Sequence, residues 1–406
     1  MKTELIHKNP ERAAEILRAG GLVAVPTETV YGLAGNGLDP NVIENIYAVK
    51  DRPAVKPISL MIPDLDTALY FCAEVPVQAE ILARRFWPGP LTLILKAKEL
   101  VPEILRAGGS TVGLRCPQQQ DTLDLLRMLP FPLAVPSANP SGEESPVNAG
   151  QVLNYFDGRI DAVIDGGPCS VGQASTVLDM SLTPYRVLRK GSLSEEEIAD
   201  ELVSAMTVVG ITGGSGSGKT TALEVLKDHG ALVLDCDAVY HELLDQSETL
   251  KSDLAAAFPT ALEEGKISRG ILGGIVFRDP EALQTLNTLT HRHIGQEIRS
   301  RLRRFAMEGG RLAAIDAIEL ISSGVAADCD FTVAVLAEEE TRVARIMARD
   351  GISREKALLR IRAQHPDSYF ISHCDYVVHN NGDTASLSRE MNSILEEERK
   401  HGTEYR

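Results

Sequence analysis

Val208-Val209-Gly210-Ile211-Thr212-Gly213-Gly214-Ser215-Gly216-Ser217-Gly218-Lys219-Thr220-Thr221 carries an apolar run into a glycine-rich turn. The helical spacing of Ala222, Leu223, Val225 and Leu226 follows at once. Gly213 to Thr220 fits G-x-x-x-x-G-K-[ST] in the strand–loop–helix setting that the motif requires. Small residues let such a backbone curl until its N–H groups converge on phosphate oxygens at a helix N-terminus. Gly213, Gly214, Ser215, Gly216, Ser217, Gly218, Lys219, Thr220 and Thr221 are therefore candidates for an ATP-phosphate cradle. Lys219 would reach the β- and γ-phosphates, and the Thr220 hydroxyl would hold Mg²⁺. A Gly/Ser-rich linker is the bland alternative, but a linker would not run Lys-Thr-Thr into a periodic helix.

Downstream, Leu232-Val233-Leu234-Asp235-Cys236-Asp237 reads as a buried strand ending in two acids. A strand beside the loop would bring its terminal carboxylate near the γ-phosphate, at the C-terminal edge of a parallel sheet. Arg311-Leu312-Ala313-Ala314-Ile315-Asp316 is a second such strand, and Asp316 could be a Mg²⁺ partner, with a helix cap as the lesser alternative for each acid. Phe331–Leu336 and Asp375–Gly382 supply further strands. Arg342, Arg345 and Arg349 are spaced to share one helix face. With Arg360 and Arg362 nearby, that face suits a lid over transferring phosphate; a solvated stripe would look the same.

The loop opens a nucleotide-binding domain and leaves half the chain ahead of it. At 406 residues, 44% hydrophobic and 24% charged, two cores are expected. Lys+Arg 41 against Asp+Glu 57 gives −16, a balance unsuited to stable nucleic-acid binding. Six scattered cysteines have no metal-ligand spacing and read as reduced core thiols. No signal core or membrane-length apolar run is present, so a cytoplasmic location and no membrane partner are expected.

In the first half, residues 10–19 read as a helix stopped by Gly20-Gly21, and Leu22–Pro26 as a buried strand running into Thr27-Glu28-Thr29-Val30-Tyr31-Gly32-Leu33. Lys50-Asp51-Arg52-Pro53-Ala54-Val55-Lys56-Pro57 sets three cations on a proline-stiffened turn, which suits several phosphate oxygens or a solvated face. Thr111-Val112-Gly113-Leu114-Arg115 alternates as a strand, with Thr111 and Arg115 on one face. Leu193–Leu202 reads as a helix capped by Ser194 that runs to Met206 with no flexible spacer behind it.

Pro-Thr-Glu-Thr-Val-Tyr-Gly-Leu, Lys-x-Arg-Pro, Trp-Pro-Gly-Pro, Thr-Val-Gly-Leu-Arg, Pro-Ser-Ala-Asn-x-Ser-Gly and Ser-Thr-Val occur in this order over roughly residues 5–200. Together they resemble the YrdC family of L-threonylcarbamoyladenylate synthases. The resemblance implies a twisted α/β domain with a concave groove. It also implies a reaction in which L-threonine, bicarbonate and ATP give threonylcarbamoyl-AMP and pyrophosphate, feeding the machinery that transfers threonylcarbamoyl to tRNA (the t6A modification). By that resemblance Arg52 and Lys56 grip the ATP phosphates with Lys50 close by, and Thr29, Arg115 and Ser175 hold threonine. Thr111, Ser137, Asn139, Ser145 and Arg189 line the nucleotide. Met61 stands where some relatives offer a polar contact. Such chemistry needs no protein nucleophile; it needs two anions held together with their charge neutralised.

The second half resembles dephospho-coenzyme A kinase over nearly all of residues 207–395. The marks are Thr-Gly-Gly-x-x-Ser-Gly-Lys, Asp-x-Asp, Thr-His before a helix, R-x-x-x-R followed by Gln364, and Cys-Asp-Tyr-Val-Val-x-Asn-x-Gly. The resemblance implies a P-loop, parallel-sheet kinase domain that moves the ATP γ-phosphoryl to the 3′-hydroxyl of dephospho-CoA. Asp237 would accept the hydroxyl proton, and Arg345 would stabilise transferring charge. Departures fall on the acceptor side: Ala317–Ser322 replaces a Pro-Leu-Leu-Phe-Glu-like segment, His241 replaces Arg, and Arg292 replaces Pro. The expectation is a fusion, residues 1–205 with residues 206–406, dependent on ATP and Mg²⁺. The alternatives are a live first half joined to a divergent kinase or nucleotide sensor, and an RNA-binding groove.

Overall fold

The computed structural model describes residues 2–7, 9–263, 266–382 and 384–404. Two compact units divide the chain, Met1–Ser204 with Met307–Gly309, and Ala205–Ala306 with Gly310–Arg406.

The first unit is α/β. Helix Pro10–Arg18 starts where Asn9 Oδ1 accepts from Arg12 N at 3.1 Å and Pro10 takes the first position. Its buried Ala13, Ala14 and Leu17 pack against Val23, Val25, Leu125, Leu126, Ala162 and Ile164. Removing the fully buried Leu17 side chain would cost about 2–5 kcal/mol. The helices flank one mixed, eleven-stranded sheet. Its first strand, Glu4–Ile6, lies parallel to Ala162–Ile164, which continues to Val23–Val25. Val23–Val25 turns back antiparallel into Gly32–Asn36, so residues 26–31 form the connection between two central strands. Farther across, Leu60–Met61, Thr111–Arg115, Leu91–Ala97 and Thr176–Asp179 follow one another. This order brings the ends of segments remote in sequence onto one groove.

The last helix of this unit, Glu195–Ser204, begins with a reciprocal cap. Ser194 Oγ accepts from Glu197 N at 3.1 Å, and Glu197 Oε2 accepts from Ser194 N at 2.8 Å. The helix ends at Ser204, short of the Met206 expected from the sequence. The reason is that Thr207 N already donates to Arg311 O at 3.0 Å, which opens the next strand.

The second unit is a parallel-sheet P-loop fold. Its five strands lie in the order Leu232–Asp235, Leu312–Asp316, Thr207–Thr212, Phe331–Leu336 and Tyr376–His379, all parallel. Val209 and Ile211 alternate inward and meet Ala222, Leu223 and Leu226 of helix Lys219–Asp228. Leu387, Met391 and Leu395 of the long helix Thr384–Glu404 complete that layer. The apolar strand before the loop is thus the centre of the sheet, with the loop at its C-terminal edge, where open α/β sheets bind ligands. Satellite cores stand apart from this one. Leu250, Leu254, Phe258, Leu272 and Val276 form one, while Val343, Ile346, Ala357 and Ile361 join helices Glu339–Asp350 and Arg354–Arg362.

One element differs from the sequence reading. The strand expected to reach Asp237 stops at Asp235, because the Asp235 carboxylate accepts from Asp237 N at 2.8 Å and Ala238 N at 3.1 Å. That side chain caps helix Cys236–Gln246 and leaves Asp237 in its first turn. All six cysteines are free thiols, and burial pushes Cys72 and Cys236 up to about 12. Among the described residues, no helix is long and apolar enough to cross a membrane.

Candidate functional sites

In the first unit a groove of about 250 Å³ is walled by Arg52, Arg115, Ser137, Ser145, Ser175 and Arg189, over apolar side chains that include Val30, Met61 and Ile94. Sheet topology makes this wall: Arg115 ends one strand, Ser175 precedes another and Arg189 closes a third. The connection after Val25 is fastened from within. Thr27 Oγ1 accepts from Thr29 N at 3.1 Å and Val30 N at 3.2 Å, and donates to Val30 O at 2.7 Å. Thr29 Oγ1 is thereby fixed to accept from Arg115 Nη2 at 2.7 Å.

Arg115 is only 7% exposed at its side chain, and its counter-ion is internal: Glu28 Oε1 lies 2.8 Å from Nη2. That oxygen lies off the N–H direction and has no aligned hydrogen bond. The pair is held by charge rather than by directional bonding. Ser175 Oγ receives Arg189 Nη2 at 2.9 Å and shares a proton with Thr92 Oγ1, also at 2.9 Å. Burial presses the Arg189 guanidinium below its ordinary range, and the positive charges of Arg115 and Arg52 press it further. A buried guanidinium beside two further cations favours an anion in the groove.

Several expected residues stand elsewhere. Lys50 is buried behind the groove, donating to the carbonyls of Ser137 and Asn139. Burial, then the charge of Arg52, lowers it to about 7. It fixes the 137–139 turn rather than facing a ligand. Asn139 likewise turns inward, its Nδ2 donating to Pro140 O at 2.9 Å and Glu143 O at 2.8 Å. Thr29 and Thr111 lie off the groove wall. Lys56 is also off the wall and exposed, although its carbonyl accepts from Arg52 Nε at 3.2 Å, so the two cations share one tied turn.

In the second unit the loop between Thr212 and Lys219 opens on a cleft of about 960 Å³. Gly214, Ser215, Gly216, Gly218, Lys219 and Thr220 line it; Gly213, Ser217 and Thr221 do not. Gly213, Gly216 and Gly218 all take a positive φ here that favours glycine. A Cβ on Gly213 (φ 139°) would lie 2.2 Å from Val335 O, and one on Gly218 (φ 94°) would lie 1.9 Å from Asn380 Nδ2. Lys219 Nζ donates to Gly213 O at 3.2 Å and lies 3.8 Å from Asp316 Oδ1. That Asp316 oxygen is buried without a hydrogen-bond partner, and burial raises the carboxyl to about 6 despite Lys219. Asp235 and Asp237 face the same cleft, with Asp237 exposed.

Four side chains from remote segments hold the loop. Asn380 Nδ2 donates to Ser217 O at 2.9 Å. Gln364 Oε1 accepts from Ser215 N at 2.8 Å, and its Nε2 donates to Ser215 Oγ at 2.9 Å. Arg345 Nη1 reaches Gly216 O at 3.3 Å and Ser217 O at 3.1 Å. Arg345 stands on the cleft wall, and its terminal nitrogens donate to these carbonyls and to Asn380. Arg342 is buried beneath the loop, its Nε donating to Ser215 O at 3.0 Å. Of the acceptor-side departures, Ala317 and Ile318 line the cleft, whereas His241 does not and Arg292 pairs with Asp253.

Glu28 is the main residue that sequence reasoning left unassigned in the first site. Its signal was a lone acid within a hydroxyl-bearing run after a buried strand. Gln364 and Asn380 stood inside quoted motifs without a role. Among the described residues, no three His, Cys, Asp or Glu side chains converge on a metal position. The donors suited to a hard cation are the Asp316 oxygen and the Thr220 hydroxyl, and Mg²⁺ is commonly held by one or two protein oxygens with phosphates and water.

Comparison with known proteins separates the halves in the same way. The YrdC-type family model, described as telomere recombination, matches residues 15–191, and the dephospho-CoA kinase family model matches residues 207–386. Threonylcarbamoyl-AMP synthase of Pyrococcus abyssi is 45% identical over 186 residues, covering 46% of this chain and 55% of that protein. The chain thus spans about half the length of that relative. A putative threonylcarbamoyl-AMP synthase of Mycobacterium tuberculosis is 33% identical, covering 49% of this chain and 91% of the relative. Dephospho-CoA kinase of Geobacter sulfurreducens is 35% identical, covering 47% of this chain and 97% of the relative. The chain belongs to the YrdC-type family through its first half and to the dephospho-CoA kinase family through its second.

Proposed function

We propose that the chain is a bifunctional, ATP-dependent enzyme of the cytoplasm. Domain 1–205 forms threonylcarbamoyl-AMP and pyrophosphate from L-threonine, bicarbonate and ATP, for transfer to tRNA by other proteins. Domain 206–406 phosphorylates the 3′-hydroxyl of dephospho-CoA. The observation that carries the reading is that each unit holds its own anion site, the Arg52–Arg115–Arg189 groove and the Lys219 cleft.

In the groove the threonine amine captures bicarbonate as a carbamate with loss of water. A carbamate oxygen then attacks the α-phosphorus and pyrophosphate leaves. Arg115 and Ser175 orient threonine, Arg115 through the threonine carboxylate, and Thr29 acts through the Arg115 guanidinium that it holds. Because Glu28 already balances Arg115, the incoming carboxylate competes for a paired cation, which favours orientation over tight binding. Arg52 and Lys56, on their shared turn, neutralise the triphosphate, and Arg189 and Ser137 border the nucleotide. Lys50 and Asn139 keep the 137–145 turn in place.

In the cleft the loop N–H groups and Lys219 hold the ATP phosphates, and Asp237 takes the proton as the acceptor oxygen attacks the γ-phosphorus. Thr220 and Asp316 would hold Mg²⁺, which supplies neutralisation of phosphate charge. The unpartnered Asp316 oxygen 3.8 Å from Lys219 fits that role.

The test is ADP formation from ATP with dephospho-CoA, uridine, AMP or no acceptor. Turnover with dephospho-CoA alone is expected. Pyrophosphate release from threonine and bicarbonate without any acceptor-dependent ADP would reject the kinase half.

A further inference from the structure

Helices Glu339–Asp350 and Arg354–Arg362 carry four arginines toward the phosphate loop and its cleft, on a small core of their own. The four divide by what they touch. Arg342 lies beneath the loop, its Nε on Ser215 O and its Nη1 3.4 Å from the Asp367 carboxylate, and Arg345 is committed to neutral acceptors. Both terminal nitrogens of Arg345 are engaged, Nη1 with Gly216 O and Ser217 O, and Nη2 with Asn380 O at 3.1 Å and Asn380 Oδ1 at 3.4 Å. Peptide planarity gives this a consequence: a Ser217 carbonyl drawn toward Arg345 and Asn380 turns the Gly218 N–H the opposite way, toward the cleft that Gly218 lines. Sending Arg345 to a phosphate would release the Gly216 and Ser217 carbonyls that it holds.

Arg349 and Arg360 also line the cleft, and their shared partner is a carboxylate. Arg349 Nε and Nη2 donate to the two oxygens of Asp350 at 2.8 and 3.1 Å, and Arg360 Nη1 donates to Asp350 Oδ2. Two guanidiniums on one carboxylate leave a net positive charge beside the cleft. Their exposures, 63% and 44% at the side chain, leave donors free for a ligand. Arg349 comes from one helix and Arg360 from the other, so Asp350 fixes both at one place.

We propose that Arg349 and Arg360, set by Asp350, are the catalytic cations that meet the charge on the transferring phosphoryl group, and that Arg345 is a positioning residue of the phosphate loop. This rests on the phosphoryl-transfer reading of the cleft. A cation that stabilises transferring charge acts on the transition state, whereas one that shapes the loop acts on every bound nucleotide alike.

The experiment compares affinities for ADP and for ADP with aluminium fluoride, which mimics the transferring group, both with magnesium. Arg349→Gln and Arg360→Gln are expected to weaken the fluoride complex on the order of 10²-fold and ADP by less than about 5-fold. Arg345→Gln is expected to weaken both by the same factor. Asp350→Asn is expected to follow the two arginine variants at lower magnitude, with Asp350→Glu recovering affinity. ADP binding reports that each variant is folded. Wild-type fluoride affinity in Arg349→Gln and Arg360→Gln, with selective loss in Arg345→Gln, overturns the proposal. Absence of turnover with dephospho-CoA in the wild type would count against the kinase reading alone, because these affinities need no acceptor.

Discussion

The groove of the first unit and the cleft of the second both present cations to phosphate, yet they balance charge in opposite ways. In the groove the principal cations have partners already. Arg115 lies against Glu28, Arg189 against Ser175, and Arg52 against the carbonyls of Lys56 and Pro57. In the cleft, Asp316 is buried with an unpartnered oxygen, and Asp235 and Asp237 stand near it. A ligand entering the groove exchanges one set of partners for another. A ligand entering the cleft meets cations beside that carboxylate, and a metal arriving with the phosphates would give the Asp316 oxygen a partner.

The strongest way to break this comparison is a pair of single substitutions. Lys219→Ala is expected to lower dephospho-CoA-dependent ADP formation by about 10³-fold or more and leave pyrophosphate release intact; Lys56→Ala should do the reverse, at about 10²-fold. Parallel assays of both products on each variant check this. Loss of both activities from either change would mean that the sites are not independent.

Next in size is Arg115→Ala. It strands the Glu28 carboxylate at 3% side-chain exposure, so a stability loss of about 3–5 kcal/mol should accompany loss of threonine-dependent turnover. Adding Glu28→Gln should restore the urea midpoint but not the activity. If the single variant unfolds normally, the internal ion pair is not what holds Arg115.

The smallest effect is a pH limb. Asp316 is raised to about 6 from the ordinary 3.8 in the metal-free protein, so at subsaturating Mg²⁺ a proton competes with the metal and kinase activity should fall as pH drops below about 6. Because the folded state binds that proton more tightly than the unfolded chain, the second unit without ligand should gain stability as pH falls from about 6 toward 4. Asp316→Asn should remove both trends and leave the pyrophosphate-release profile unmoved. A kinase profile that keeps its acid limb in Asp316→Asn assigns the limb to another group.

The loop from Gly213 to Thr220 was legible because its chemistry is contiguous: strand, glycines, lysine and helix follow one another in the chain. The same holds for helix Pro10–Arg18, where cap, apolar stripe and terminating glycines are local. What sequence could not supply were pairings between remote positions. Arg115 finds Glu28 only after two strands have been laid into one sheet, and Ser215 finds Gln364 across 149 positions. Arg345 shows the cost of reading periodicity alone. Its helix face was anticipated correctly, but helical spacing gives no information on whether a guanidinium meets a carbonyl or a cavity. The end of the strand at Asp235 was misplaced for a related reason: an acid that terminates a strand and an acid that caps a helix look alike until the backbone turns.

Asn380 follows the edge strand of the second sheet and holds the carbonyl of Ser217, 163 positions earlier in the chain. During synthesis, which proceeds at about 5–20 residues per second, the phosphate loop therefore leaves the ribosome well before the residue that sets its shape. The first unit has all its strands by Arg189 and can finish folding while the kinase sheet still lacks its last strand. A nascent chain of this protein would then pass through an interval in which one candidate site has all its strands while the glycine-rich loop of the other still lacks a side chain that holds it.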